Sequence, residues 1–187
     1  MQAIVRHLAR LFGWTVLLGS LSGHTLADTL TRHYDGVLGT SMDLSVAGAP
    51  PAKADAAFDA ALSEVSRLEA LLSDYQPDSE VSKLNRERVA GGLSPELAEL
   101  IGHCRHWESE TDGRFSCKLG QIRTAWYESV NADVPPDRRA LRAQARALRA
   151  TELPAPSTGQ YELPDGVSLD LGGIAKGYII DKVLAVM

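Results

Sequence analysis

The sequence predicts an α+β domain, and three observations carry that prediction. A glycine-interrupted run of strand formers opens the globular part, four segments with helical spacing or helix-forming composition fill the middle, and a strand, turn, strand and helix close it. At 187 residues, 44% hydrophobic and 23% charged, the chain suits one domain with a real core rather than a disordered or fibrous protein.

The first 27 residues differ in kind. Arg6 and Arg10 precede a largely apolar run over 11–21, and Thr25, Leu26 and Ala27 form a small-residue approach to a cleavage site. This is a secretory signal peptide pattern, with residues 28–187 as the mature domain. The alternative is an amino-terminal anchor, but the apolar run is shorter than the ~20 residues of a spanning helix. The expectation is an exported, periplasmic chain, free or peripheral to the inner membrane, with no transmembrane span in its mature part. Cys104 and Cys117 are the only cysteines, which leaves none in the signal region to carry a lipid. An oxidising compartment permits them to pair, and the spacing does not decide it. Beyond residue 27 there are 17 basic and 24 acidic residues, an excess of seven negative charges. Such a balance disfavours nucleic acid as a partner.

Along the mature chain, 32–46 reads as a hairpin or kinked strand. Residues 52–73 carry Phe58, Ala61, Leu62, Val65, Leu68 and Leu72 on one side of an amphipathic helix, with Glu69 at the edge of that stripe. A turn follows at 74–78. Ser94 and Pro95 open a second helix whose buried stripe is expected to be Leu97, Leu100, Ile101, Cys104 and Trp107, with Gly113 as its stop. Third and fourth helices are expected over 119–127 and 136–150. The fourth carries Arg138, Arg139, Arg142, Arg146 and Arg149, either a solvated face or one turned to an anionic partner. Residues 161–163 and 167–171 read as two strands about a turn at Pro164, Asp165 and Gly166, and a helix begins near Ile174.

His103, Cys104 and His106 resemble a short metal cluster, but on a helix Cys104 faces the apolar stripe while the histidines point elsewhere. The chemically informative stretch is 170–181, DLGGIAKGYIID. Two glycines at a strand-to-helix junction admit a ligand close to the backbone, the free amides of the helix start favour an anion, and Lys176 adds a cation in the first turn. Asp170 offers a hard oxygen or a hydrogen-bond acceptor. The spacing is not that of a phosphate-binding loop of nucleotide triphosphatases.

DLGGIAKGYIID resembles the signature of the FAD:protein FMN transferases, the ApbE-like flavin transferases. Three further segments agree in order. Val37-Leu38-Gly39-Thr40 resembles an early T-M-G-T element. Tyr75 with Ser79, Leu84 and Asn85 resembles a Y-x-x-x-S-x-[IV]-x-x-[LF]-N element, and Thr111-Asp112-Gly113-Arg114-Phe115-Ser116 resembles T-D-G-A-F-D. The resemblance implies a T-fold-like ApbE domain, here incomplete at its carboxyl terminus because the family's chains continue past the signature helix. It implies FAD as donor, Mg²⁺ as cofactor, and transfer of the FMN half to a threonine or serine hydroxyl of an acceptor redox protein, with AMP released. By motif position Asp170 and Lys176 are the expected catalytic, FAD-contacting residues, and Leu38, Tyr75, Arg114, Phe115 and Ser116 line the flavin site. The carbonyl of Gly173 is the expected magnesium ligand. Leu38 replaces the family's methionine, Ser116 its aspartate, and Gln121 a common proline. An inactive fragment, a FAD-binding protein without transfer and a FAD pyrophosphate hydrolase are the alternative readings.

Overall fold

The computed structural model describes residues 28–187; the signal peptide reading falls on residues outside that range. Strands β1 (Thr29–Val37) and β2 (Thr40–Ala47) form an antiparallel hairpin. Its register shifts between Asp35 and Val37, where Gly36 at φ 73° makes the bulge. Of the two readings open from sequence, the hairpin is the one realised.

Helix α1 (Pro51–Leu72) follows, with Ala54, Phe58, Ala61, Val65, Leu68 and Leu72 buried on one face. That face packs chiefly against α6 (Ala175–Val186), whose Ala175, Tyr178, Ile179 and Val183 are buried in return. Helix α2 (Glu80–Glu87) was not expected. Ser79 caps it by accepting from the Ser82 amide at 3.1 Å, and Val81 and Leu84 bury its inner side. Helix α3 (Pro95–Glu110) begins as expected, with the Ser94 hydroxyl accepting from Leu97 N at 3.2 Å. Its buried residues are Leu97, Leu100, Ile101 and Cys104. Trp107 corrects the expectation, because it is 49% exposed. The stripe ends at Cys104, which a disulfide pins to Cys117 with Cα atoms 5.8 Å apart, and Trp107 instead lies against the His106 ring.

Helix α4 spans Gly120–Ala132 and α5 spans Arg138–Ala150, the latter capped by Asp137. The carboxyl-terminal pairing departs from expectation. Strand β4 (Tyr161–Glu162) does not pair with 167–171 but with β3 (Val89–Ala90), antiparallel. Residues 167–171 keep the alternation of a strand, burying Val167, Leu169 and Leu171, yet they run beside 117–120. The bonds there are Asp170 N to Cys117 O at 2.8 Å and Gly120 N to Ser168 O at 2.9 Å, with one parallel bridge between Leu119 and Ser168. Arg88 bridges the two segments. Its guanidinium donates to the carbonyls of Leu163, Pro164 and Val167, and its own carbonyl accepts from the Leu163 amide at 2.8 Å, next to the β3–β4 pair.

Candidate functional site

Three chain corners meet at one cleft: the β1–β2 turn, the end of α1 and the start of α6. The turn places Leu38 at φ 54° and Gly39 at φ 70°. Both residues are left-handed, as a two-residue hairpin of this hand requires. Glycine adopts that conformation freely, and leucine at a cost of roughly 1–2 kcal/mol. The Leu38 N–H is satisfied by the Glu69 carboxylate at 3.1 Å, so the half-buried glutamate at the edge of α1 fixes the turn. Its carboxylate takes the place of a water acceptor for that amide.

The cleft encloses about 190 Å³ and is lined by Leu38, Glu69, Leu72, Tyr75, Leu171 and Lys176 among others. Its floor is apolar, from Leu72, Leu171, Ala175 and Ile179; one rim is the exposed ring of Tyr75 and another the first turn of α6 with Lys176. The volume lies below the ~300 Å³ of a complete small-molecule site. It suits one ring system of a larger ligand, with an anionic part held at the helix start.

Arg123, on the inner side of α4, organises the polar wall and was not singled out from sequence. It donates to the Asp74 carboxylate, its Nε stands 3.6 Å from Asp170 Oδ2, and its guanidinium carbon is 5.4 Å from the Tyr75 ring centroid. One side chain thus ties together residues 74, 75 and 170. Burial pushes the Asp74 carboxyl up from its ordinary 3.8, while Arg123 pulls against that shift. For Arg123 itself burial lowers the pKa, but Asp74 and Asp170 outweigh burial and leave it raised. The Tyr75 hydroxyl is also raised, foremost by its neighbour Tyr127. Asp170 turns its other oxygen to the Gly172 amide at 2.9 Å, which sets the chain for its approach to α6.

Of the residues singled out from sequence, Leu38, Tyr75 and Lys176 line the cleft, and Asp170 stands behind it through Arg123 and Gly172. Gly173 is exposed beside Phe115, whose Cε2 would be 3.3 Å from a Cβ placed on it. Arg114 points to solvent, 3.9 Å from Asp112, and the Ser116 hydroxyl accepts from the Lys118 amide at 3.2 Å. Neither Arg114, Phe115 nor Ser116 lines the cleft. Gln121 joins α4 to α5 by accepting from Gln144 at 3.0 Å. Asn85 makes two bonds to Leu169, donating to its carbonyl at 2.9 Å and accepting from its amide at 2.7 Å. A wider cavity of about 410 Å³ lies between α3 and the segment after α5. Its buried Lys118 is already matched by Glu108 at 2.8 Å and by the Thr151 carbonyl, so its geometry makes no demand for a ligand.

The corners of the cleft come from the segments whose order matched the flavin transferases. A sequence model of the ApbE family matches residues 38–187. The chain belongs to the ApbE family. It is 26% identical over 156 residues to the FAD:protein FMN transferase of Chlamydia muridarum, covering 81% of this chain and 47% of that one. With the FAD:protein FMN transferase of Klebsiella pneumoniae it shares 28% over 123 residues, 64% of this chain and 39% of the relative. It therefore spans less than half the length of these curated relatives. Among solved structures, the apo form of the Pseudomonas stutzeri flavinyl transferase ApbE superposes with a TM-score of 0.68 at 20% identity, over 86% of this chain and 55% of that one. The flavin transferase ApbE of Vibrio cholerae gives 0.67 at 20% identity, over 84% and 53%. The ApbE fold is thus present in the part of the domain that this chain covers.

Proposed function

We propose that this ApbE-family chain binds FAD and takes part in transfer of its FMN half to a threonine or serine hydroxyl of an acceptor redox protein. The observation that carries the reading is the convergence of Leu38, Tyr75 and Lys176, from three distant segments, on one apolar cleft that ends at a helix start. Leu38 and Tyr75 flank a slot for a flat ring, and the α6 amides with Lys176 face the phosphates. In the transfer the acceptor oxygen attacks the phosphorus next to FMN, the bridge to AMP breaks, and AMP leaves. Lys176 and the helix start offset charge on the phosphate oxygens where it accumulates. Arg123 holds Asp170 and Tyr75 in place for that ligand. The expected export of the chain places such an acceptor in the periplasm or at its membrane.

Magnesium takes six oxygens in near-octahedral array. The described residues offer the carbonyl of Gly173, an exposed residue, while Asp170 is engaged by Gly172 and Arg123. No group of three or more His, Cys, Asp or Glu able to hold a metal occurs among the described residues. These residues do not by themselves fit a magnesium ion, and no step is routed through one.

Incubating the purified protein with FAD, Mg²⁺ and an acceptor domain separates the readings. AMP release together with covalent flavin on the acceptor, both lost in Lys176→Ala, is the expected result. AMP without covalent flavin identifies hydrolysis of the pyrophosphate. Bound FAD with neither product identifies a flavin binder, and absence of FAD binding overturns the proposal.

A further inference from the structure

Helix α5 has the sequence RRALRAQARALRA, five arginines and no acid in 13 residues, on a chain whose described part carries an excess of acids. Arg138, Arg142, Arg146 and Arg149 recur at spacings of four, four and three, which keeps them within one stripe roughly 16 Å long. All are exposed. Arg149 donates to the Asp112 carbonyl at 2.9 Å, whereas Arg138, Arg139, Arg142 and Arg146 have no carboxylate partner among the described residues. Four guanidinium groups of this helix are thus left open to solvent.

The neighbouring surface is apolar. Trp126 and Val130 of α4 and Val134 of the connecting loop are exposed. Trp126, Pro135, Pro136, Leu141, Arg138 and Arg142 share one groove of about 360 Å³. Indole and aliphatic groups therefore stand directly beside unpaired guanidinium groups. That is the composition by which a protein face lies in the headgroup layer of a bilayer, apolar groups entering and cations meeting phosphates.

We propose that the α4–α5 hairpin is a docking face for an anionic phospholipid surface. The guanidinium groups are spread along a row rather than converged on a point, which matches a plane of phosphates better than one carboxylate or phosphorylated residue. Trp126 and Val130 would be solvated liabilities against a purely acidic protein segment but are buried on insertion between headgroups. Arg123 lies one turn before Trp126 and Tyr127 on α4, so the docked face adjoins the ligand site along one helix.

The test is co-sedimentation of the full chain with vesicles of phosphatidylglycerol and phosphatidylcholine, against vesicles of phosphatidylcholine alone. The variants are Arg138→Gln/Arg142→Gln/Arg146→Gln and, separately, Trp126→Ala. Residues 1–27 are common to all, so differences between variants read the hairpin. The expected result is binding to anionic vesicles that salt weakens, roughly a hundredfold loss for three arginines, and a smaller loss for Trp126→Ala with an unchanged circular dichroism spectrum. Absence of binding, equal binding to both vesicle types, or binding that the triple variant retains overturns the proposal. Capture by soluble polyglutamate but not by vesicles also overturns it, assigning the face to an acidic protein.

Discussion

Arg123 Nε stands 3.6 Å from Asp170 Oδ2 while the same guanidinium donates to Asp74. One cation thereby holds the carboxylate of the signature stretch and the carboxylate that precedes Tyr75. The Asp74 side chain is only 7% exposed, and that of Arg123 is 26% exposed. Removing one partner of such a pair leaves a poorly solvated charge, at a cost of about 3 kcal/mol, the lower end because Arg123 retains some water. Arg123→Gln is expected to lose that much stability at pH 7 in urea denaturation.

The pH dependence of that loss separates electrostatics from packing. The folded-state pKa of Asp74 is raised, so the native protein holds a proton that the unfolded chain has released, and stability falls as pH rises from 3.8 through the raised value. Without Arg123 the raised value rises further. The gap between wild type and Arg123→Gln should open above the wild-type raised value, as pH climbs toward the variant's still higher one, and nearly close below both, where Asp74 is neutral in both folded proteins. A gap of equal size at pH 3.5 and pH 7 would show that lost packing, not charge, is the cause.

Asn85 predicts a different signature. Both of its amide atoms bond the backbone of Leu169, a residue with no exposed surface. Asn85→Ala strands one buried donor and one buried acceptor, for a loss of about 2–4 kcal/mol. Asn85→Asp keeps the acceptor but abolishes the donor and adds a charge, so it should recover little. Because Asp170 is the next residue, FAD binding should fall in parallel in a titration of flavin fluorescence; intact binding in a destabilised variant would detach the two.

The Cys104–Cys117 disulfide closes a loop of sequence separation 13. Loop-closure entropy for that length is about 3 kcal/mol, a shift in Tm of roughly 6–12 °C for a domain of this size. Both sulfurs are buried, each residue 1% exposed, so mild reductant acting on the folded protein should leave the bond intact. The double variant Cys104→Ala/Cys117→Ala should melt lower by that amount, and a melting curve that does not move would show that the two thiols add nothing to stability.

Legibility in the sequence followed the range of the interaction. The buried stripe of α1 and the Ser94 cap of α3 depend on residues three or four apart, and both are written locally. Leu38, Tyr75 and Lys176 were found because each sits in a motif, although no local pattern says that they meet. Arg123 carries no such mark: nothing near it distinguishes it from the arginines of α5, and its role arises only when residues 74 and 170 fold onto it. The pairing of Tyr161 with Ala90 is hidden for the same reason, since two-residue strands have no period and their partners lie 71 residues apart. Helix α2 was missed on weaker grounds, having only Val81 and Leu84 as its apolar face.

Gly120 sits where two of these long-range relationships cross. Its amide donates to the Ser168 carbonyl, and a Cβ built on it would lie 2.6 Å from Ser168 Oγ and 2.9 Å from that carbonyl oxygen. Alanine elsewhere in a helix interior is worth up to about 1 kcal/mol over glycine, but Gly120 opens α4, where the propensity gain is smaller, and the contact involves the Ser168 backbone carbonyl as well as its short side chain. Overpacking of this kind costs about 1–3 kcal/mol, so the clash wins and Gly120→Ala is expected to destabilise the protein. It should also part 117–120 from 168–170, moving Arg123 away from Asp170 and weakening FAD binding. Ser168→Gly removes the hydroxyl and its Cβ but leaves the carbonyl, so the double variant should recover part of the loss and not all. Full recovery in chemical denaturation would assign the clash to the serine side chain alone, and no recovery would assign it to the backbone pairing that aligns α4 with the signature stretch.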